Sequence, residues 1–279
     1  MTDLLARART PELPERPLLL IPVGSTEQHG PHLPLGIDTV IAHAVARRAA
    51  DLIRETGVDV LVAPGLTYGA SGEHQHFAGT VSIGLETLQL VLVELVRSAV
   101  SWAGKCVFVN GHGGNVTALA AAMRQLRFEG HDVGWAPCVP TQARVRAAID
   151  SHAGRLETSL ALALAPDDVR LDKAEPGALE PLSALISRIR LDGVASVSQN
   201  GVLGDPTGAS AQEGEQLLRG MADQDATWVP AREPDGQGRE EDDGRHAWRG
   251  RRGAGVVASC DVFGGPGVFH LIADAISAE

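Results

Sequence analysis

Between residues 18 and 164 the chain alternates short apolar runs, each closed at or near a glycine or proline, with longer segments of helical periodicity. This alternation constrains the fold more than any other feature. The runs LLLIPVG (18–24), VDVLVAPG (58–65), KCVFVNG (105–111) and residues 132–137 carry apolar side chains at consecutive positions. Such runs read as strands buried on both faces, the pattern of a parallel sheet covered by helices. Residues 38–54 are Ala-rich with helical spacing, and Gly57 lies just past them. Residues 85–102 place Leu88, Val91, Leu92, Leu95, Val96 and Ala99 on one helical stripe. Residues 115–129 and 157–164 read as two more helices. The expectation is an α/β, layered fold with a mostly parallel β-sheet flanked by helices. Ligands in such folds gather at the C-terminal ends of strands. The polar motifs of this chain follow LLLIPVG, VLVAPG and CVFVNG, at those ends.

The organisation around that region is uneven. Residues 1–17 are Pro- and Arg-rich and read as a lead-in, residues 18–224 as the folded domain, and residues 225–279 as an atypical tail. Within the tail, residues 228–255 are dense in charge and glycine without a period, which reads as linker or disorder. The last segment has the pattern of a strand and a short helix. With 279 residues, 44% of them hydrophobic, the chain is long and apolar enough to bury a core, and disorder of the whole is excluded. A net charge of −11 argues against a general nucleic-acid binder, which shows a basic face. No apolar run reaches the ~20 residues of a membrane span, and the charged first residues have no apolar signal core. Cys106, Cys138 and Cys260 are odd in number and widely spaced, so they suit buried thiols in a reducing cytoplasm.

Four clusters carry polar chemistry. In STEQHGPHLPLGIDT (25–39), Glu27 and His29 are two apart and share a face if extended, before Gly30, Pro31, Pro34 and Gly36 turn the chain toward Asp38. A carboxylate, an imidazole and a second carboxylate converging there suit Zn, Mn or Fe(II). A solvated loop with Asp38 as a helix N-cap fits the same residues. In NGHGGN (110–115), His112 follows a buried strand among glycines that admit close backbone approach. The Gly-Lys-Ser/Thr ending of a phosphate loop is absent. In DSHAGRLETS (150–159), His152 and Glu157 can face one cavity, while a Glu in the first turn of a helix is also electrostatically favourable on its own. In ASGEHQHFAGTVSIG (70–84), Glu73, His74 and His76 could bind a metal or belong to a substrate lid hinged at Gly72 and Gly79.

Glu27, His29, Asp38, His112 and Glu157 together would suit two divalent metal ions with Asp38 between them. No GxSxG elbow is present, and no Cys lies in a His-rich motif. Attack by a water whose pKa a metal lowers toward ~7 is therefore the stronger idea than a side-chain nucleophile. Hydrolysis of an amide-like bond follows, with a His carrying protons to the leaving nitrogen.

The blocks PVGSTEQHGPHLPLGIDT, GEHQHFAGTVSIG, VFVNGHGGN and HAGRLETS resemble, in order, the signature blocks of the creatininase family. The resemblance spans about residues 18–222 and implies a single α/β domain of creatininase-type fold, a binuclear metal centre and a homo-oligomer such as a hexamer. It implies Glu27, His29, Asp38 and His112 as metal ligands, with Asp38 bridging, and His152 as the proton-transfer residue. Creatininase itself has a Glu two residues after the His of NGH. Here Gly114 stands there, so Glu157 is the expected replacement, and creatinine is disfavoured as substrate. Within the family, GASGEHQHFAGTVSIG, DDVR and GVLGDPTGAS-AQEG look most like the mycofactocin-associated peptidases. That likeness implies release of the modified C-terminal Val-Tyr-derived unit from a precursor peptide. It puts Glu73 with His152 in catalysis, and His74, His76, Gly113, Gly114 and Asn115 on the substrate side. The alternatives are an amidohydrolase of a small cyclic amide or formamide, and a non-catalytic metal-binding protein that kept the fold.

Overall fold

A computed structural model describes residues 4–139 and 150–226. Cys260 and the reading of residues 227–279 lie outside the described residues. Four strands form one sheet: β1 (Leu18–Val23), β2 (Val60–Val62), β3 (Lys105–Asn110) and β4 (Val133–Pro137). Their spatial order is β2-β1-β3-β4, and every pairing is parallel. The connections are α1 (Ile37–Glu55), α2 (Leu85–Ala99) and α3 (Val116–Phe128). After β4 come α4 (Arg155–Leu164), α5 (Leu182–Asp192) and α6 (Ala211–Ala226).

All six residues of β1 are buried, so its continuous apolar run is explained by two covered faces. Successive side chains leave a strand on opposite sides. Leu19, Ile21 and Val23 of β1 and Cys106 and Phe108 of β3 therefore join Leu88, Leu92, Val96, Leu119 and Met123 of α2 and α3 in one core. Leu18, Leu20, Val107 and Val109 point the other way, against Ile37, Ile41, Val45 and Ile53 of α1, Leu160 of α4, and Leu218 and Met221 of α6. The result is a sheet between two helical layers. A satellite cluster of Ala178, Leu185, Ile189, Val194 and Leu203 packs under the long connection. No helix of the described residues is long and apolar enough to cross a membrane.

The register positions the site. Val23 pairs with Asn110, so β1 and β3 end level with one another. The Gly111 N–H donates to the Val23 carbonyl at 2.8 Å, holding the two exits side by side. The chain after β1 and the chain after β3 therefore emerge together, each carrying a polar motif.

The element edges differ modestly from the sequence expectation, with β2 shorter and α1 starting at Ile37. Helices α5 and α6 were not expected. The stripe Gly214, Leu218, Met221, Ala222 and Asp225 on α6 is buried and has helical spacing, so a signal for it existed.

Candidate metal centre

Glu27 and His29 sit on the segment leaving β1, and both are fully buried. Asp38 lies in the first turn of α1, whose N-cap position is Gly36. Its carboxylate caps nothing: Oδ2 accepts from Ser25 Oγ at 2.6 Å and Oδ1 lies 3.0 Å from His29 Nε2. A Cβ at Gly111 would stand 2.4 Å from the Asp38 carbonyl oxygen, so only glycine lets the start of α1 drop onto the end of β3. His112 follows immediately, with Nε2 3.2 Å from Glu27 Oε2 and Nδ1 3.5 Å from Asp38 Oδ2.

The segment before α4 brings His152 and Glu157. Ala153 between them adopts a left-handed backbone with φ +53°, uncommon for a residue with a Cβ. That kink aims the Ala153 N–H at Glu157 Oε2, 2.6 Å away. The same oxygen lies 3.9 Å from His29 Nε2. His152 Nδ1 faces Glu27 Oε1 at 3.7 Å, and its ring stacks at a tilt on His29 with centroids 4.4 Å apart. The loop after β2 contributes His74, whose Nε2 is 3.4 Å from Glu27 Oε1, and Glu73, whose Oε1 is 3.7 Å from His112 Nε2.

The charges bear on one another. Burial disfavours a charged Glu27, yet His112 and His74 outweigh it and hold the carboxyl well below its ordinary range. Burial likewise opposes charge on His29, but Asp38 lifts it to about 10. The same contest, won by Glu27, raises His112. Burial pushes Glu157 up to about 7, with His29 opposing and Asp38 adding to the rise. Burial also raises Glu73. His74 falls to about 4 through burial, and burial followed by the nearby His29 and His74 holds His152 well below its ordinary value. Burial thus shifts His152 and His74 toward the neutral form, in which an imidazole can act as a base or a ligand.

Both carboxylate oxygens of Glu27 are buried and, for all the imidazoles nearby, make no hydrogen bond. A buried carboxylate left in that condition is costly, and a cation relieves it. Three ligand sets have their atoms within 4.8 Å of one another: Glu27 with Asp38 and His112, His29 with Asp38 and Glu157, and Glu27 with His29 and His152. The first two share Asp38. The mixed imidazole and carboxylate donors suit Zn, Mn or Fe(II).

Other expected residues are placed differently. The segment Gly72–His74 is a 3-10 turn, not an extended stretch. His74 and His76 therefore diverge: His74 is buried against Glu27, and His76 is exposed. Asn115 spends its amide internally, accepting from Ala70 N–H at 2.9 Å and donating to the Gly24 carbonyl at 3.0 Å, so the structure offers none of it to a substrate. At Gly114 a Cβ would stand 2.5 Å from Glu73 Oε1 and 2.4 Å from His112 Nε2. Any side chain there would displace Glu73 and His112. Gly113 is exposed beside them. Sequence reasoning missed two buried residues, His32, which bonds Thr158 Oγ1 at 2.9 Å, and Gln28. Their only signal was position inside the first motif.

A family model described as creatinine amidohydrolase (Creatininase) matches residues 6–229. A mycofactocin precursor peptide peptidase from Mycolicibacterium smegmatis is 52% identical over 224 residues, covering 77% of this chain and 87% of that protein. A creatinine amidohydrolase from Pseudomonas putida is 32% identical over 237 residues, covering 74% and 87%. Among solved structures, one named Creatininase Mn superposes with a TM-score of 0.62 at 30% identity, covering 76% of this chain and 89% of that one.

Proposed function

The chain belongs to the creatininase family, and from that premise we propose that it is a metal-dependent peptidase acting on the modified precursor peptide of the mycofactocin system. The observation that carries this reading is the 52% identity to a peptidase of that name, against 32% to a creatinine amidohydrolase. The bond cleaved is an amide, as the names of the peptidase and creatinine amidohydrolase relatives imply for those proteins, and the product is the Val-Tyr-derived unit at the C-terminus of the peptide.

In this reading Glu27, Asp38 and His112, together with His29 and Glu157, would hold the divalent ions. Zn, Mn and Fe(II) all suit the donors. Ions bound there supply Lewis-acid polarisation of the amide carbonyl and acidify a water for attack. His152, shifted by burial toward the neutral form and facing Glu27, takes the proton of the attacking water and returns it to the leaving nitrogen as the C–N bond breaks. Glu73, whose carboxyl burial raises above its ordinary value, is the second proton carrier. His74, His76 and Gly113 flank the approach of the peptide, and Gly114 keeps that side clear for Glu73. On the family likeness we also place the protein in the cytoplasm as a homo-oligomer.

The test is incubation of the zinc-loaded enzyme with the radical-modified precursor peptide, followed by mass spectrometry. Release of the dipeptide-derived product is the expected result, and an intact peptide overturns the reading. A second reading, hydrolysis of a small cyclic amide, has its support in the Pseudomonas putida relative. Gly114 stands against creatinine itself, because the Glu expected there in creatininase has no room beside Glu73 and His112.

A further inference from the structure

Gln28 lies between Glu27 and His29, is buried, and meets three other segments. Its Oε1 accepts the Gly30 N–H at 2.9 Å. Its Nε2 lies 3.0 Å from the Gly201 carbonyl oxygen, 2.8 Å from His74 Nδ1 and 3.0 Å from His152 Nε2. Turning the amide over would set oxygen against oxygen at Gly201 and nitrogen against N–H at Gly30, so its orientation is determined. Gly201 is tailored to it: the backbone there has φ +81°, and a Cβ would stand 1.9 Å from Gln28 Oε1.

The donors can be counted. A side-chain amide has two hydrogens. The Gly201 carbonyl can only accept, so it takes one, and His74 Nδ1 takes the other as a bare nitrogen. None remains for His152 Nε2. That nitrogen is also 2.8 Å from the main-chain carbonyl of Gln28, which demands a donor. The proton of a neutral His152 ring therefore sits on Nε2, and in that tautomer Nδ1 turns a lone pair toward Glu27 Oε1 at 3.7 Å. His74, bare at Nδ1, carries its proton on Nε2, 3.4 Å from the same Glu27 oxygen.

We propose that Gln28 is a positioning residue that sets both tautomers, its side-chain amide fixing His74 and its main-chain carbonyl fixing His152. One residue thereby presents an N–H from His74 and a lone pair from His152 to a single carboxylate oxygen. The lone pair is what a proton-transferring His must offer. The N–H of His74 leaves the other Glu27 oxygen to face His112. The effect on turnover rests on the peptidase reading; the tautomers do not.

The experiment records long-range proton–nitrogen spectra of the 15N-labelled, zinc-loaded protein, which separate protonated from bare ring nitrogens. In the wild type His74 and His152 are both expected bare at Nδ1 and protonated at Nε2. In Gln28→Glu the carboxylate can only accept, so His74 is expected to move its proton to Nδ1. His152, held by the unchanged main-chain carbonyl, is expected to stay as it was. Zinc content is expected to be unchanged, and kcat to fall roughly 10–100-fold with KM little altered. A wild-type His74 protonated at Nδ1, a Gln28→Glu His74 that does not switch, or a His152 that switches with it overturns the assignment. Should Gln28→Glu not fold, Gln28→Met removes the donor at similar length: averaged His74 tautomers are expected, and a wild-type pattern overturns the proposal. Expected tautomers in a protein that leaves the peptide intact would support this assignment and count against the peptidase reading.

Discussion

At Asp38 one side chain serves several partners, touching Ser25, His29 and His112. Asp38→Ala is expected to abolish both metal content, measured by elemental analysis, and peptide cleavage. A variant that retains two ions per chain would remove the bridging role. His152→Ala is expected to keep its metal and lose about 100-fold or more in turnover, the size of a lost general acid–base group. On α6, Asp225 is buried with both oxygens undonated, beside a cavity lined by Leu18, Leu20, Ile53 and Val107. Burial raises its carboxyl well above the ordinary value. Its folded pKa thus exceeds its unfolded one of about 3.9, so folding favours the protonated form. The stability linked to that proton is present in acid and lost as pH rises through the folded value. Asp225→Asn is therefore expected to melt with the wild type near pH 3 and above it at pH 7. Equal melting temperatures at pH 7 would contradict this.

At the scale of elements, the site depends on where α1 starts and how the loop after β2 folds. Gly111→Ala would press a Cβ onto the Asp38 carbonyl. Overpacking of this kind costs about 1–3 kcal/mol. We expect a folded variant with weakened metal binding, read by titration calorimetry. The strands were legible because β1 and the Cys106–Val109 interior of β3 are buried on both faces and apolar at every position. Helix α1 was legible through its Ala-rich periodicity. The segment 72–76 was not: an HxH pair reads the same in a strand and in a turn, and only the 3-10 geometry sends His74 inward and His76 out. Helix α6 was overlooked because its stripe includes Gly214 and Asp225, which weaken the apolar signal.

For the whole molecule, the sheet separates two cores, and Phe108 at its centre is wholly buried. Phe108→Ala is expected to cost about 3–5 kcal/mol in denaturant unfolding. Metal removal by a chelator should lower the melting temperature by about 5–10 °C, since ions bind only the folded cluster of carboxylates. By itself the sequence determined the α/β layering, because periodicity and strand burial are local properties of a chain. It also singled out Glu27, His29, Asp38, His112, His152 and Glu157 as candidates for the chemistry, because each stands in a short motif at a strand or helix end. Only the tertiary structure decided which of them meet. The level ends of β1 and β3, the glycine contact under α1 and the kink at Ala153 gather candidate ligand atoms from four separate segments into sets of three, the atoms of each set within 4.8 Å of one another. It alone decided the part of Gln28 as well, since hydrogen-bond partners more than forty residues away set what that amide can donate.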